Sequence, residues 1–150
     1  MIQFPHQTAS QARSPRWRVL IVEDHVDLAR LLALSFELDG HEVRLAYDGA
    51  QGVALARAWA PDVMICDIGL PVIDGYEVAR QVRSGAQPPH WMIAVTAYAT
   101  VQDRERATFA GFDRHVSKPV SARELIALLA QMEAAQRPPA HREAARLNAG

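Results

Sequence analysis

Side chains able to do chemistry stand at four places in the chain: Glu23-Asp24, Asp67, Thr96 and Lys118. Each set closes or directly follows a short run read as a strand: "WRVLIV" (17–22), "PDVMIC" (61–66), "WMIAVT" (91–96) and "DRHVSK" (113–118). Three carboxylates held together repel one another and need a counter-ion, and hard oxygen ligands suit Mg²⁺. Mg²⁺ keeps several waters and takes one or two carboxylates plus phosphate oxygens, which describes a site for phosphoryl transfer. A carboxylate can serve as the nucleophile, forming an aspartyl phosphate. A lysine supplies a point charge to phosphate oxygens, and a threonine hydroxyl donates one further hydrogen bond. Ala97, after Thr96, is small enough to leave an entering phosphoryl group room. Taken singly, each residue has a plainer reading: Asp24 as a helix cap, Asp67 as a turn former, Thr96 as a turn cap, Lys118 as a solvated charge. Those readings do not explain why all of them fall at the same ends of their strands.

For these groups to meet, the strands must lie parallel in one sheet. The pattern supports this, because apolar runs alternate with helical spacing along the chain. "WRVLIV" is continuous and β-rich, as expected of a strand buried on both faces. "DLARLLALSFELDG" (27–40) carries leucines at helical spacing and closes at Gly40. "HEVRLA" (41–46) is a short strand, and "DGAQGVALARAWA" (48–60) a helix started by Asp48. After the third strand, "DGYEVARQVRS" (74–84) has Asp74 and Glu77 spaced as N-cap and third helical residue. "TVQDRERATFAGF" (100–112) is capped by Thr100, and "SARELIALLAQMEAA" (121–135) opens with the Ser121/Glu124 capping box. Right-handed crossovers then place helices on both faces. Ligands of such sheets bind outside the carboxyl ends of the strands, where strand order reverses. The second strand, ending at Ala46-Tyr47, brings no comparable group.

Composition sets limits. A chain of 150 residues is one domain by length, and 49% hydrophobic with 22% charged residues is ordinary for a globular protein. A net charge of −1 gives no reason for direct binding of nucleic acid or an anionic membrane. One cysteine cannot form an intramolecular disulfide, and no apolar run approaches the roughly 20 residues that span a bilayer. The start "MIQFPHQTASQARSPR" lacks the features of a secretory signal. A cytoplasmic location is therefore expected. Residues 1–15 and 136–150 read as flexible tails around a domain at 16–135, with 141–147 able to form a short helix.

The segments "VLIVEDHVDLARLL", "PDVMICDIGLPVIDGYEVARQVR", "IAVTAYA" and "GFDRHVSKPV" together resemble the receiver domain of bacterial two-component response regulators, over about residues 17–135. The resemblance implies a flavodoxin-like, doubly wound five-stranded parallel sheet with strand order 2-1-3-4-5. It implies that Asp67 accepts phosphate from a phosphohistidine on a sensor kinase or phosphotransfer protein. Glu23 and Asp24 match the acidic pair, with Asp24 a direct Mg²⁺ ligand beside Asp67 and the backbone carbonyl of Gly69. Thr96 matches the switch hydroxyl, Lys118 the phosphate-binding lysine, and the Lys118-Pro119 bond is expected to be cis. Signalling is expected through the face of the fourth helix, fifth strand and fifth helix, roughly residues 100–135, toward an output protein the sequence does not name. The oligomeric state implied is a monomer or a phosphorylation-dependent dimer.

Two positions depart from the commonest family pattern. His115 stands where a Tyr or Phe is usual, three residues before Lys118, and Tyr98 is a bulky occupant of a position that influences dephosphorylation. The expected function is that of a stand-alone receiver, because the segment after 135 is too short and polar for an output module. A receiver segment of a hybrid histidine kinase is the alternative. A Mg²⁺-dependent phosphatase of the haloacid-dehalogenase type needs a second acid two residues after the nucleophile, where this chain has Gly69. A receiver-like interaction module that is never phosphorylated would not need the intact Asp24/Asp67/Lys118 set.

Several residues have structural readings. Cys66 should point away from Asp67 by strand alternation. The six histidines show no metal-ligand spacing, and Trp59 and Trp91 are expected to pack at element ends. The first helix carries Leu28, Leu31, Leu32, Leu34, Phe36 and Leu38, more apolar positions than one buried face needs. Wide core burial and a hydrophobic patch for a helical partner, such as a kinase dimerisation bundle, both fit that excess.

Overall fold

The computed structural model describes residues 16–97 and 100–135. The expected tails, the helix considered at 141–147 and Tyr98 lie outside the described residues. In chain order the elements are β1 (Arg18–Val22), α1 (Val26–Leu38), β2 (Glu42–Ala46), α2 (Gly49–Trp59) and β3 (Val63–Asp67). There follow α3 (Gly75–Arg83), β4 (Trp91–Thr96), α4 (Val101–Ala110), β5 (Arg114–Ser117) and α5 (Ala122–Ala135). The strands form one parallel sheet in the order β2-β1-β3-β4-β5, as expected of a flavodoxin-like fold. Since β2 and β3 lie on opposite sides of β1, strand order reverses there, and a crevice is expected over the carboxyl ends of β1 and β3.

Burial explains the sequence pattern. β3 and β4 are buried at every residue and β1 from Val19 onward, so all three read as unbroken apolar runs. β2 and β5 are edge strands with mixed exposure. On one face, Leu20, Met64, Cys66, Met92 and Ala94 join a core with Val53 and Ala56 of α2, Val78 and Val82 of α3, and Ala107 of α4. α1 lies against β1 and β2 and buries Ala29, Leu32, Ala33 and Phe36. By strand alternation the buried Val19, Ile21 and Ile65 point to the face opposite Leu20, Met64 and Cys66. Cys66 is a core thiol, as expected, donating to the carbonyl oxygen of Asp67 at 3.2 Å.

The caps follow the expectations with two differences. Asp48, Asp74 and Thr100 accept from the backbone N–H three residues on, in Gln51, Glu77 and Asp103. The Thr100/Asp103 pair closes a full capping box. α1 is capped by His25, whose Nδ1 accepts from the Leu28 N–H at 3.1 Å, so Asp24 stays free of that role. The Glu77 carboxylate turns forward to Arg80 and Gln81 instead of back to its own cap. Gly40 takes φ 97°, a left-handed turn that ends α1 and suits glycine.

The far end of the sheet is held by aromatic and guanidinium contacts. Trp91 opens β4 edge-on to Trp17 at 5.0 Å, and Trp59 closes α2 with Arg18 and Arg44 over its ring. Arg83 reaches the carbonyl oxygens of Gly111 and Pro89 and the Asp113 carboxylate, tying the end of α3 to the loop before β5.

The sheet and α1–α4 belong to one compact unit that ends at Val120, and α5 belongs to a second that begins at Ser121. Within α5, Glu124 N–H donates to Ser121 Oγ at 3.1 Å and Ser121 N–H to Glu124 Oε2 at 3.5 Å, the expected box. Leu125, Leu129 and Met132 are its buried stripe, spaced four and three residues apart.

Candidate functional site

The acidic groups come together because neighbouring parallel strands end level. Val22 pairs with Cys66, so Glu23 and Asp24 leave β1 beside the point where Asp67 closes β3. One ligand atom from each of Glu23, Asp24 and Asp67 lies within 4.8 Å of the others. Glu23 and Asp67 are buried, and Asp24 is exposed, giving the cluster a side open to water. Across the sheet, Lys118 Nζ donates to Asp67 Oδ2 at 3.1 Å and to Glu23 Oε1 at 3.5 Å. Thr96 closes β4 and is buried, and the Lys118 N–H donates to its carbonyl oxygen at 2.7 Å. The Lys118-Pro119 bond is cis, as expected.

The loop after β3 is built around Asp67. Gly69 N–H donates to Asp67 Oδ1 at 3.1 Å, and Ile68 N–H donates to Val95 O on β4. Gly75 packs directly on the Asp67 backbone: a Cβ there would run into the Asp67 carbonyl oxygen and stand 2.6 Å from Ile68 Cα. Its role is positional, whereas the sequence pattern places Asp74-Gly75 only at the helix start. The available signal was an Asp-Gly step so soon after the strand-end acid. Between them, Val72 is fully exposed with φ 67°, a conformation costly for a β-branched residue.

His115 sits on β5 level with Ala94, and Ser117 is level with Thr96. By alternation His115 and Thr96 share a face of the sheet, one pleat apart. His115 is half-buried. No histidine joins the carboxylate cluster among the described residues.

Electrostatics mark the cluster as short of positive charge. Burial pushes the Glu23 carboxyl up to about 7, assisted by the hydrogen bond and negative charge of Asp67 and opposed by Lys118. Burial alone would lower the Lys118 ammonium, but Asp67 and then Glu23 outweigh it and hold its pKa above the ordinary lysine value. One ammonium thus serves two buried acids, and a third acid stands at the rim. The donor set fits a small hard cation: oxygen ligands, close spacing and a wet side where waters complete the coordination.

Residues 19–130 match the family model described as the response regulator receiver domain. The chain belongs to that family. A transcriptional regulatory protein of Mycobacterium tuberculosis is 37% identical over 113 residues, 75% of this chain. The match covers 43% of that relative, so the receiver domain spans less than half the length of the curated protein it resembles. Among solved structures, the receiver domain of a sensor histidine kinase from Pseudomonas aeruginosa PAO1 is 32% identical with a TM-score of 0.69. It aligns over 77% of this chain and 95% of its own, and its magnesium ion is coordinated in the active-site cleft. A chemotaxis response regulator of Vibrio cholerae is 25% identical, with TM-score 0.71 over 76% of this chain and 96% of that one. Within this receiver domain, among the described residues, no helix is long and apolar enough to cross a membrane.

Proposed function

We propose that this receiver domain takes a phosphoryl group onto Asp67 from a phosphohistidine of a sensor kinase or histidine phosphotransfer protein. The observation that carries the reading is the Lys118 ammonium 3.1 Å from Asp67 Oδ2, at a strand end crowded by two further acids. The Asp67 carboxylate oxygen forms the new bond to phosphorus as the phosphorus–nitrogen bond of the donor breaks, and the imidazole leaves with a proton. Lys118 supplies a fixed positive charge to the transferring oxygens, and the Thr96 hydroxyl a hydrogen bond. Asp24, Asp67 and the Gly69 carbonyl would hold Mg²⁺, with Glu23 behind them. When bound, the ion neutralises charge on the phosphoryl oxygens during in-line transfer.

The same residues give a route to a signal. The Lys118 N–H is bonded to the Thr96 carbonyl, so groups drawn toward a phosphate on Asp67 sit at the roots of β5 and α4. New charge-assisted bonds there bias α4 and β5 toward a second arrangement, with His115 as the neighbouring side chain on the shared face. A cytoplasmic setting and an output protein that reads these elements complete the proposal.

Intact-mass measurement tests it. With phosphoramidate or acetyl phosphate and Mg²⁺, the chain gains one phosphoryl group, about 80 Da. EDTA, or Asp67→Asn, abolishes the gain. A phosphate that persists on Asp67→Asn overturns the assignment.

A further inference from the structure

α1 has two apolar sides, and only one of them is used by the core. Ala29, Leu32, Ala33 and Phe36 are buried, whereas Leu31, Leu34 and Leu38 are 60%, 54% and 81% exposed. At about 100° per residue, the three exposed leucines fall on one stripe nearly opposite the buried one. Their spacing of three then four residues is that of a coiled-coil seam. Three exposed leucines in one row, on an ordered helix, are more than the scattered apolar residues every surface carries.

The charges beside this row say what it fits. Arg30 and Glu37 are seven residues apart, so both lie on the same flank of the stripe, and both are exposed. Among the described residues, neither has an ion-pair partner within the chain. The other flank carries the uncharged Leu28 and Ser35. In a parallel pair of such helices related by a two-fold axis, each flank faces the opposite flank of the partner, and Arg30 would meet Ser35. In an antiparallel pair the same flanks meet, with residue order reversed about Leu34. To within one residue of that register, about 1.5 Å along the helix axis, Arg30 then faces Glu37 of the second copy and Glu37 faces its Arg30, while Leu31 lies beside Leu38 and Leu34 against itself. One helix therefore contains both halves of a self-complementary seam.

We propose that this face of α1 joins two copies of the chain in an antiparallel, two-fold dimer that does not depend on phosphorylation. An isologous contact of this kind needs no second surface. One helix face per copy is a small area beside the roughly 800 Å² per partner of a standard interface, so the dimer is weak and strongly concentration-dependent.

Sedimentation equilibrium on the unphosphorylated protein in EDTA, from roughly 10 µM to 1 mM, tests the proposal. A reversible monomer–dimer equilibrium is expected in that range. Leu34→Asp, at an exposed position, should abolish it while leaving the circular dichroism spectrum unchanged. Arg30→Glu should raise the dissociation constant by about tenfold or more, and Arg30→Glu with Glu37→Arg should restore it. Because both charges sit on the surface, the swap leaves folding intact and reads only orientation. A wild type that stays monomeric throughout overturns the proposal and leaves the leucine row to a helix of another protein. A dimer indifferent to Leu34→Asp places the contact elsewhere, and a charge swap that fails to restore association rules out the antiparallel register. Because phosphorylation plays no part, these outcomes are independent of whether Asp67 is the phosphoacceptor.

Discussion

Lys118 and Asp67 meet across 51 residues of sequence, with Nζ 3.1 Å from Oδ2, and the same ammonium reaches Glu23 at 3.5 Å. The ion pair makes two opposing demands on one charge. It steadies two buried acids in the resting protein, and it also repels any cation that enters the cluster.

Replacing Lys118 should therefore separate metal binding from phosphoryl transfer. Lys118→Gln removes a positive charge close to the three carboxylates, so Mg²⁺ affinity measured by calorimetry should rise severalfold. The rate of phosphorylation by phosphoramidate should fall at least about tenfold, because the transferring oxygens lose their fixed cation. Loss of Mg²⁺ binding, or an unchanged rate, would count against the role given to this residue.

Glu23 predicts a pH dependence. Its pKa is raised to about 7 in the folded protein from an ordinary 4.5. Between those values the metal-free folded state holds a proton that the unfolded chain has released. Stability must then fall as pH rises through the window and level off above it. Glu23→Gln removes this term, so relative to wild type it should gain on the order of 2 kcal/mol between about pH 5 and about pH 8. Urea unfolding in EDTA measures the difference, and parallel pH profiles for the two proteins would refute the raised value. Saturating Mg²⁺ should shrink the gain by holding the wild-type carboxylate ionised.

Gly75 separates close packing from helix propensity. Alanine is favoured over glycine within a helix by about 1 kcal/mol, yet here the added methyl meets the Asp67 carbonyl oxygen and Ile68 Cα, which are backbone and cannot swing aside. Gly75→Ala should cost about 2 kcal/mol net and weaken Mg²⁺ binding by displacing Asp67. Gly69→Ala is the control, since its Cβ would have only Asp67 Oδ1 within 4 Å, at 3.9 Å. Equal stability losses in the two variants would show that the clash is relieved by a shift elsewhere.

The strand-end residues were legible because periodicity alone identified the elements, and parallel strands that end level bring their terminal residues together. Even so, β3 runs from Val63 to Asp67, later at both ends than the apolar run "PDVMIC" suggested. Pro61 and Asp62 lie before it, and the Asp62 carboxylate accepts from the Arg18 N–H instead. What the sequence could not display are contacts between distant residues. Arg83 reads as one more charge near a helix end, but it clamps Gly111, 28 residues away. The leucines of α1 were equally opaque, since spacing shows two apolar stripes without saying which is covered. Only burial separates Leu32 and Phe36 from Leu31, Leu34 and Leu38.

Gly69 sets up a prediction about phosphate lifetime. If Asp67 carries the phosphoryl group as proposed, its loss requires water to attack phosphorus in line, opposite the carboxylate oxygen. The position beside Asp67 Oδ1 holds no side chain, although space is open there for one. Nothing at Gly69 therefore orients a water, and self-dephosphorylation should be slow. Gly69→Asn adds an amide beside Asp67: its Cβ would have only Asp67 Oδ1 within 4 Å, and the backbone at this position is outside the left-handed region that would penalise it. An amide there supplies a hydrogen-bonding group for a water that glycine lacks. Decay of the phosphorylated protein, followed by intact mass after removal of the donor, should accelerate at least roughly threefold, about 0.65 kcal/mol in barrier. The Gly69→Ala variant fills the same space without a hydrogen-bonding group and should leave the rate unchanged. If asparagine fails to speed decay, or alanine speeds it equally, water positioning at this residue does not govern how long the signal lasts.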